Sequence, residues 1–178
     1  MSISKMFFAG SGGQGILLMG QMVCSAAMLE DKEATFFPSY GPEMRGGTAN
    51  CTVIVSDKPI SCPLIFESDC VVAMTLPSLL KFEPTLKPGG TLLINKSIVH
   101  QAPKRSDITV YEIPVNDLAH ELGNPRVANI IMLGAFVRTT GIVTSEAVEQ
   151  VVHDVFGAKK AELVELELKA FNYWKKSC

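Results

Sequence analysis

Charge is the scarcest ingredient of this 178-residue chain. Asp, Glu, Lys and Arg make up 19% of it, against roughly 25% in an average soluble domain. The charges nearly cancel, to −2, so no basic face for nucleic acid or an anionic membrane is expected. Apolar residues reach 47%, which excludes intrinsic disorder. Cysteine pairs in metal-ligand spacing are absent. Cys24, Cys51, Cys62, Cys70 and Cys178 contain no C-x-x-C and match no zinc or iron–sulfur run. An odd count with irregular gaps is also a poor disulfide framework, so reduced thiols in a cytoplasmic protein are expected. Long apolar runs are missing too. Residues 6–29 carry no charge and follow Lys5, but glycines break them, and no unbroken apolar stretch there, Ile16 to Met19 included, exceeds four residues. A spanning helix needs about 18, so no membrane segment is expected. The mean hydropathy of +0.25 leaves apolar surface to be hidden, and a partner subunit is the expected cover.

What remains is one domain, residues 1–178, long enough for a core without staples. Ile3 to Ala9 reads as a short buried strand, Gly10 to Gly15 as a turn, and Ile16 to Leu29 as a helix with apolar residues at 16, 19, 23 and 27. Ala34 to Phe37 reads as a second strand cut by Pro38. Thr48 to Ser56 is β-rich, and the segment from Gly47 to Ser61 suggests an antiparallel hairpin. Cys70 to Met74, Thr91 to Asn95 and Ile108 to Ile113 read as strands, Pro77 as a helix start, and Lys87-Pro88-Gly89-Gly90 as a turn. After Pro114 the pattern is helical over 116–122, 127–140, 145–156 and 161–174. In the last, Val164, Leu168 and Phe171 form the apolar stripe, with Glu162, Glu165 and Lys169 off it. Alternation followed by consecutive helices predicts an α/β three-layer sandwich with a mostly parallel, Rossmann-like sheet and a helical C-terminal part.

Two glycine-rich loops carry the chemistry. Gly10-Ser11-Gly12-Gly13-Gln14-Gly15 fits G-x-G-x-x-G between a strand and a helix, where backbone N–H groups can meet an anion. A dinucleotide site also expects an acid at the end of the second strand. That strand ends Phe36-Phe37-Pro38, with Asp31 and Glu33 at its other end. The turn therefore reads first as tight packing, against a neighbour or a phosphate of another ligand. The second loop is Ser39-Tyr40-Gly41-Pro42-Glu43-Met44-Arg45-Gly46-Gly47. Arg45 there suits a bidentate phosphate or carboxylate contact, or equally a Glu43–Arg45 ion pair that orders the loop. His100, His120 and His153 are scattered, and no catalytic triad or thiamine-type magnesium run is present. Cys51 and Cys62 lie on apolar strand patterns and read as core, as do Met19, Met22 and Met28 on the first helix.

SGGQG followed about 25 residues later by SYGPEMRGG, then a strand closed by Asp57-Lys58-Pro59-Ile60, resembles the gamma subunit of 2-oxoacid:ferredoxin oxidoreductases. LKPGGTL at 86–92 and NPRVANIIMLG at 124–134 extend the resemblance, which runs from Lys5 to Leu133. It implies a complex that decarboxylates a 2-oxoacid on thiamine diphosphate with magnesium. Electrons pass singly through four-iron–four-sulfur clusters to ferredoxin, and the acyl group passes to coenzyme A. It places the thiamine and clusters in alpha, beta and ferredoxin-like partner subunits, with no cofactor resident in this chain and a role on the coenzyme A side. Carried over residue by residue, the candidate binding set is Gly10, Gly12, Gly13, Gln14 and Gly15 in the first loop and Tyr40, Gly41, Glu43, Arg45, Gly46 and Gly47 in the second. Arg45 would meet the anionic part of coenzyme A or a neighbouring subunit. Asn129 would support the loops through their backbone, or serve as a helix cap or inter-helix contact. The substrate expected is 2-oxoglutarate. Two other readings stay open: a free-standing nucleotide-binding oxidoreductase and a purely structural assembly subunit.

Overall fold

The computed structural model describes residues 3–40, 47–157 and 161–177. Its strands are β1 (Ile3–Ser11), β2 (Glu33–Tyr40), β3 (Thr48–Ser56), β4 (Ser68–Ala73), β5 (Leu86–Asn95) and β6 (Thr109–Ile113). Its helices are α1 (Ile16–Leu29), α2 (Leu76–Phe82), α3 (Val115–Glu121), α4 (Ala128–Thr140), α5 (Ser145–Phe156) and α6 (Ala161–Tyr173). The strands form one sheet in the order β2-β3-β1-β4-β5-β6. β4 is parallel to β1, β5 to β4 and β6 to β5, while β3 runs antiparallel to both β1 and β2. The architecture is the mostly parallel α/β sandwich that the alternating pattern predicts.

Both faces of the sheet are covered, and side-chain alternation divides them. Met6 and Phe8 of β1, Cys70 and Val72 of β4 and Leu93 of β5 face the larger core with α1, α4, α5 and α6. Phe7, Ala9, Val71, Ala73, Leu92 and Ile94 face a smaller core closed by Leu79 and Phe82 of α2 and by Val99. Glu83 is 3% exposed and ties the 96–108 connection to that thinner side. Its Oε1 accepts the N–H groups of Lys104 and Arg105 at 2.6 and 2.8 Å.

α4 accounts for much of the chain's hydropathy. All ten residues from Ala128 to Val137 are buried, because the sheet, α3, α5 and α6 surround the helix. Apolar surface that the composition leaves to a partner is thus partly hidden within the chain. The remainder is exposed: Phe66 at 85%, Met28 at 67% and Leu64 at 56%. Met28 therefore does not pack in the core with Met19 and Met22.

Three local expectations need correction. Pro38 does not cut the second strand, since β2 continues to Tyr40 with Pro38 opposite Cys51. β2 is an edge strand, the place in a sheet where a residue without an N–H is tolerated. Lys87-Pro88-Gly89-Gly90 is not a turn before the strand but a bulge within β5. Ser68 pairs with Leu86 and Cys70 with Thr91, and Gly89 takes φ +77° to make the excursion. β3 pairs with β1 and β2, not with Ile60-Ser61-Cys62, which forms no strand. Cys62 is accordingly exposed rather than core. Among the described residues no helix is long and apolar enough to cross a membrane.

Candidate functional site

After β1 the chain turns through α1 to β2 and β3 on one side. It then crosses to β4, on the other side of β1. The carboxyl ends of β1 and β4 therefore flank a switch point, where open α/β sheets bind ligands. The glycine turn lies there, followed across the crevice by Met74, whose N–H donates to Ala9 O at 2.8 Å.

The turn is closed by its own residues. Gln14 folds back so that its Oε1 accepts the Ser11 N–H at 2.7 Å, and the Gln14 N–H reaches Ser11 O at 3.2 Å. A side chain at Gly10 would meet Gln14 Oε1 at 2.5 Å and Ile16 Cδ1 at 2.6 Å, which explains the glycine. Gly15 caps α1 with φ 71° and ψ 24°, no side-chain cap bond is made, and the first turn holds no acid. The amide groups opening α1 are thus left without a side-chain acceptor, as at helix N-termini that receive anions. Asn129 is 6% exposed, and its Nδ2 stands 3.5 Å from Gly15 O.

The second loop meets the first. Gly12 N–H donates to Gly47 O at 3.0 Å, and Ser11 pairs with Thr48 at the end of the β1–β3 ladder. The two glycine-rich segments thus share one rim of the sheet. Tyr40 closes β2 opposite Ala49. Gly41, Glu43, Arg45 and Gly46 lie outside the described residues. Glu33, the acid on the second strand, is not at this rim: it pairs with Ser56, at the opposite end of the ladder from Gly10 and Ala49.

Two clefts open from the turn. One of about 120 Å³ lies between Gly13, Gln14, Met74, Asn116 and Asn129. The other, about 330 Å³, runs from Gly13–Gly15 past Arg126 and Asn129 to Phe156 and Glu167. Arg126 borders both. It is exposed, and among the described residues no carboxylate pairs with it. Asn124 positions it by accepting the Arg126 N–H at 3.0 Å.

Arg126 and Glu167 are cleft-lining residues that sequence reasoning passed over. Glu167 had a signal: it follows Val164 by three positions and precedes Phe171 by four, so it falls on the apolar stripe of α6. It is 7% exposed, and its Oε2 has no hydrogen-bond partner. Burial pushes its carboxyl up to about 7. A raised acid holds its proton in the folded state while the unfolded chain has released it. Stability from this group is present in full below about 4.5, falls as pH rises towards 7, and is flat above. Relative to Glu167→Gln, the wild type should lose on the order of 2 kcal/mol between pH 4.5 and 7.5, measured by urea unfolding at each pH.

The remaining candidates are structural. Burial pushes the Cys24 and Cys51 thiols up to about 12 and raises Cys70 further, so none is a nucleophile at neutral pH. His100, His120 and His153 are exposed and apart. No group of three His, Cys, Asp or Glu among the described residues could hold a metal.

An open α/β sheet with a ligand crevice at its switch point is the class of protein that this geometry defines. The family model for pyruvate ferredoxin/flavodoxin oxidoreductase matches residues 5–173. A 2-oxoglutarate synthase subunit, KorC, of Methanocaldococcus jannaschii is 40% identical over 149 residues, covering 82% of this chain and 80% of that one. The pyruvate/ketoisovalerate oxidoreductases common subunit gamma of Thermococcus litoralis is 33% identical over 160 residues, covering 85% and 86%. Among solved structures, the keto/oxoacid ferredoxin oxidoreductase gamma subunit of Geobacter sulfurreducens superposes with a TM-score of 0.81 at 34% identity, covering 97% of this chain and 96% of that one. The chain belongs to the pyruvate ferredoxin/flavodoxin oxidoreductase family, as a gamma subunit.

Proposed function

We propose that this gamma subunit serves a complex oxidising 2-oxoglutarate, and that its glycine rim forms one wall of the coenzyme A side of that complex. The overall reaction is decarboxylation of the 2-oxoacid, transfer of two electrons to ferredoxin one at a time, and capture of the acyl group by the coenzyme A thiol. Thiamine diphosphate, magnesium and the clusters are assigned to the alpha, beta and ferredoxin-like partners. This chain's own part is to bind and orient.

The observation that carries the reading is the Gly12–Gly47 hydrogen bond, which brings both glycine loops to the crevice where α1 opens without a cap. The residues present suit an anionic group. Gly13 at φ +92° and Gly15 at φ +71° shape the backbone, and Arg126 supplies a guanidinium that no carboxylate among the described residues pairs with. They would hold a phosphate of coenzyme A, whose thiol supplies the acyl acceptor. KorC supports 2-oxoglutarate as substrate, being a 2-oxoglutarate synthase subunit at 40% identity.

The test is reconstitution with the partner subunits. Arg45→Ala should lower acyl-CoA formation about tenfold or more, the worth of one charge-assisted contact. Reduction of ferredoxin by the 2-oxoacid in a single turnover without coenzyme A should persist. Unchanged acyl transfer in Arg45→Ala would remove that arginine from the ligand. A panel of 2-oxoacids assayed on the same complex should show the highest kcat/KM with 2-oxoglutarate.

A further inference from the structure

We propose that the larger cleft, between the Gly13–Gly15 turn and α6, is an oxyanion site in which Glu167 must carry a proton for the anion to seat. This rests on the anionic-ligand reading of the rim given above and adds to it a proton requirement at a named atom.

Three features meet around one volume of about 330 Å³. At one end is the N-terminus of the 14-residue α1, which no side chain caps. At its edge is Arg126, free of ion pairs among the described residues. Lining the cleft from α6 is Glu167, a residue only 7% exposed, with Oε2 unpartnered. A buried polar oxygen with no partner is costly. It is tolerated in a folded protein where a ligand completes it. Leu18, Ile130 and Phe156 form the apolar wall between the polar ends and keep the local dielectric low, so charge at Glu167 acts strongly across the cleft.

The two states of Glu167 treat an anion oppositely. As a neutral acid it donates its O–H to an anion oxygen and leaves Arg126 available. As a carboxylate it repels the anion and competes for the guanidinium. Burial holds the group close to the switching range, up to about 7.

Among the described residues no other ionisable group is placed to take over this role. From α4, Asn129 and Ile130 reach the cleft, and Arg138 lies at the helix's far end. From α5, Phe156 reaches it, His153 and Asp154 are exposed, and Glu149 lies 3.5 Å from Asn172. From α3, Glu121 meets Tyr173 Oη, and Lys175 beyond α6 is exposed. On α6 itself, Glu162, Glu165 and Lys169 face solvent.

Sulfate is the probe, since its charge does not change near neutrality as phosphate's does. It is titrated into the full chain at pH 6 and pH 8. An anion that binds only the protonated form should bind about tenfold more weakly at pH 8, with uptake of about one proton per sulfate at pH 8. Glu167→Gln should bind equally at both values, and Arg126→Ala should bind weakly at both. Should Glu167→Gln fail to fold, the 13C resonance of the Glu167 carboxyl reports directly: its titration midpoint should rise when sulfate is added. Absence of sulfate binding, an equal pH slope in wild type and Glu167→Gln, or a midpoint unmoved by sulfate would each overturn the proposal. None of these results touches the gamma-subunit reading, which is decided by acyl transfer in the assembled complex.

Discussion

Gly134→Ala should lower the melting temperature by about 10 °C, although alanine is by itself the better helix former. In an exposed helix the exchange would gain about 1 kcal/mol. Gly134 sits mid-way along α4, within its buried run from Ala128 to Val137, where the last turn of α6 crosses it. A β-carbon there would drive into the carbonyl oxygen of Phe171, with the Phe171 carbonyl carbon at 2.9 Å and Trp174 Cδ1 at 3.0 Å. Backbone on a packed helix cannot rotate away as a side chain can, so α6 must lift. Overpacking of this kind costs about 3 kcal/mol, and each kcal/mol moves the midpoint of a domain this size by about 2–4 °C. Gly141→Ala is the control. That residue, unlike Gly134, takes a left-handed φ of 62°, but nothing lies within 4 Å of an added carbon, so only backbone strain of about 1 kcal/mol is expected. A second readout follows from Glu167, which α6 carries. A lifted helix lets water reach the carboxyl, and its titration should fall back towards the ordinary carboxylate range. A midpoint for Gly134→Ala at or above wild type would mean that α4 and α6 do not cross at this glycine.

Where periodicity is local, the sequence is a good guide. α1 and α5 begin and end where their apolar spacing says, and β3 spans 48–56 as its β-branched run suggests. The misreadings share a cause: the deciding partner is distant in sequence. Pro38 looks like a strand breaker until the sheet order shows that its strand is at an edge. Lys87-Pro88-Gly89-Gly90 looks like a turn until β4 supplies a register to bulge against. The candidate site divides the same way. The glycine turn is legible because strand, turn and helix are contiguous. Its contact with Gly47 spans 35 residues, and ordering the motifs along the chain implies that contact without establishing it. Arg126 carries no local signal, since an arginine after Asn-Pro is an ordinary surface residue. Glu167 does carry one, a carboxyl on an apolar stripe, and it is outweighed at sequence level by the acids beside it at 162 and 165 that do face water.

Gly15→Ala should cost about 2–3 kcal/mol of stability and disable the anion site, and its partner in that failure is identifiable. Alanine at φ 71° adds about 1 kcal/mol of left-handed strain. The larger part comes from position: the new β-carbon would fall on the side-chain amide of Asn129, with Cγ at 2.8 Å and Cβ at 3.3 Å. Asn129 cannot retreat, because it stands on α4 with buried neighbours on both sides, and its own Cβ is part of the clash. The glycine turn must therefore shift away from α4. That shift carries with it the amide groups that open α1 and the Gly12 contact to the second loop. Misplacement of a binding group by about 1 Å is enough for a hundredfold loss of rate, so acyl transfer in the reconstituted complex should fall at least tenfold. Gly13→Ala separates strain from collision, since its φ of 92° is also left-handed but nothing lies within 4 Å. The decisive measurement is a double-mutant cycle. Asn129→Gly in the Gly15→Ala background removes the colliding atoms, so the pair should recover about 1 kcal/mol or more relative to the sum of the single changes. Strictly additive costs would show that Gly15 is required for its backbone angle alone and that α4 does not brace the turn.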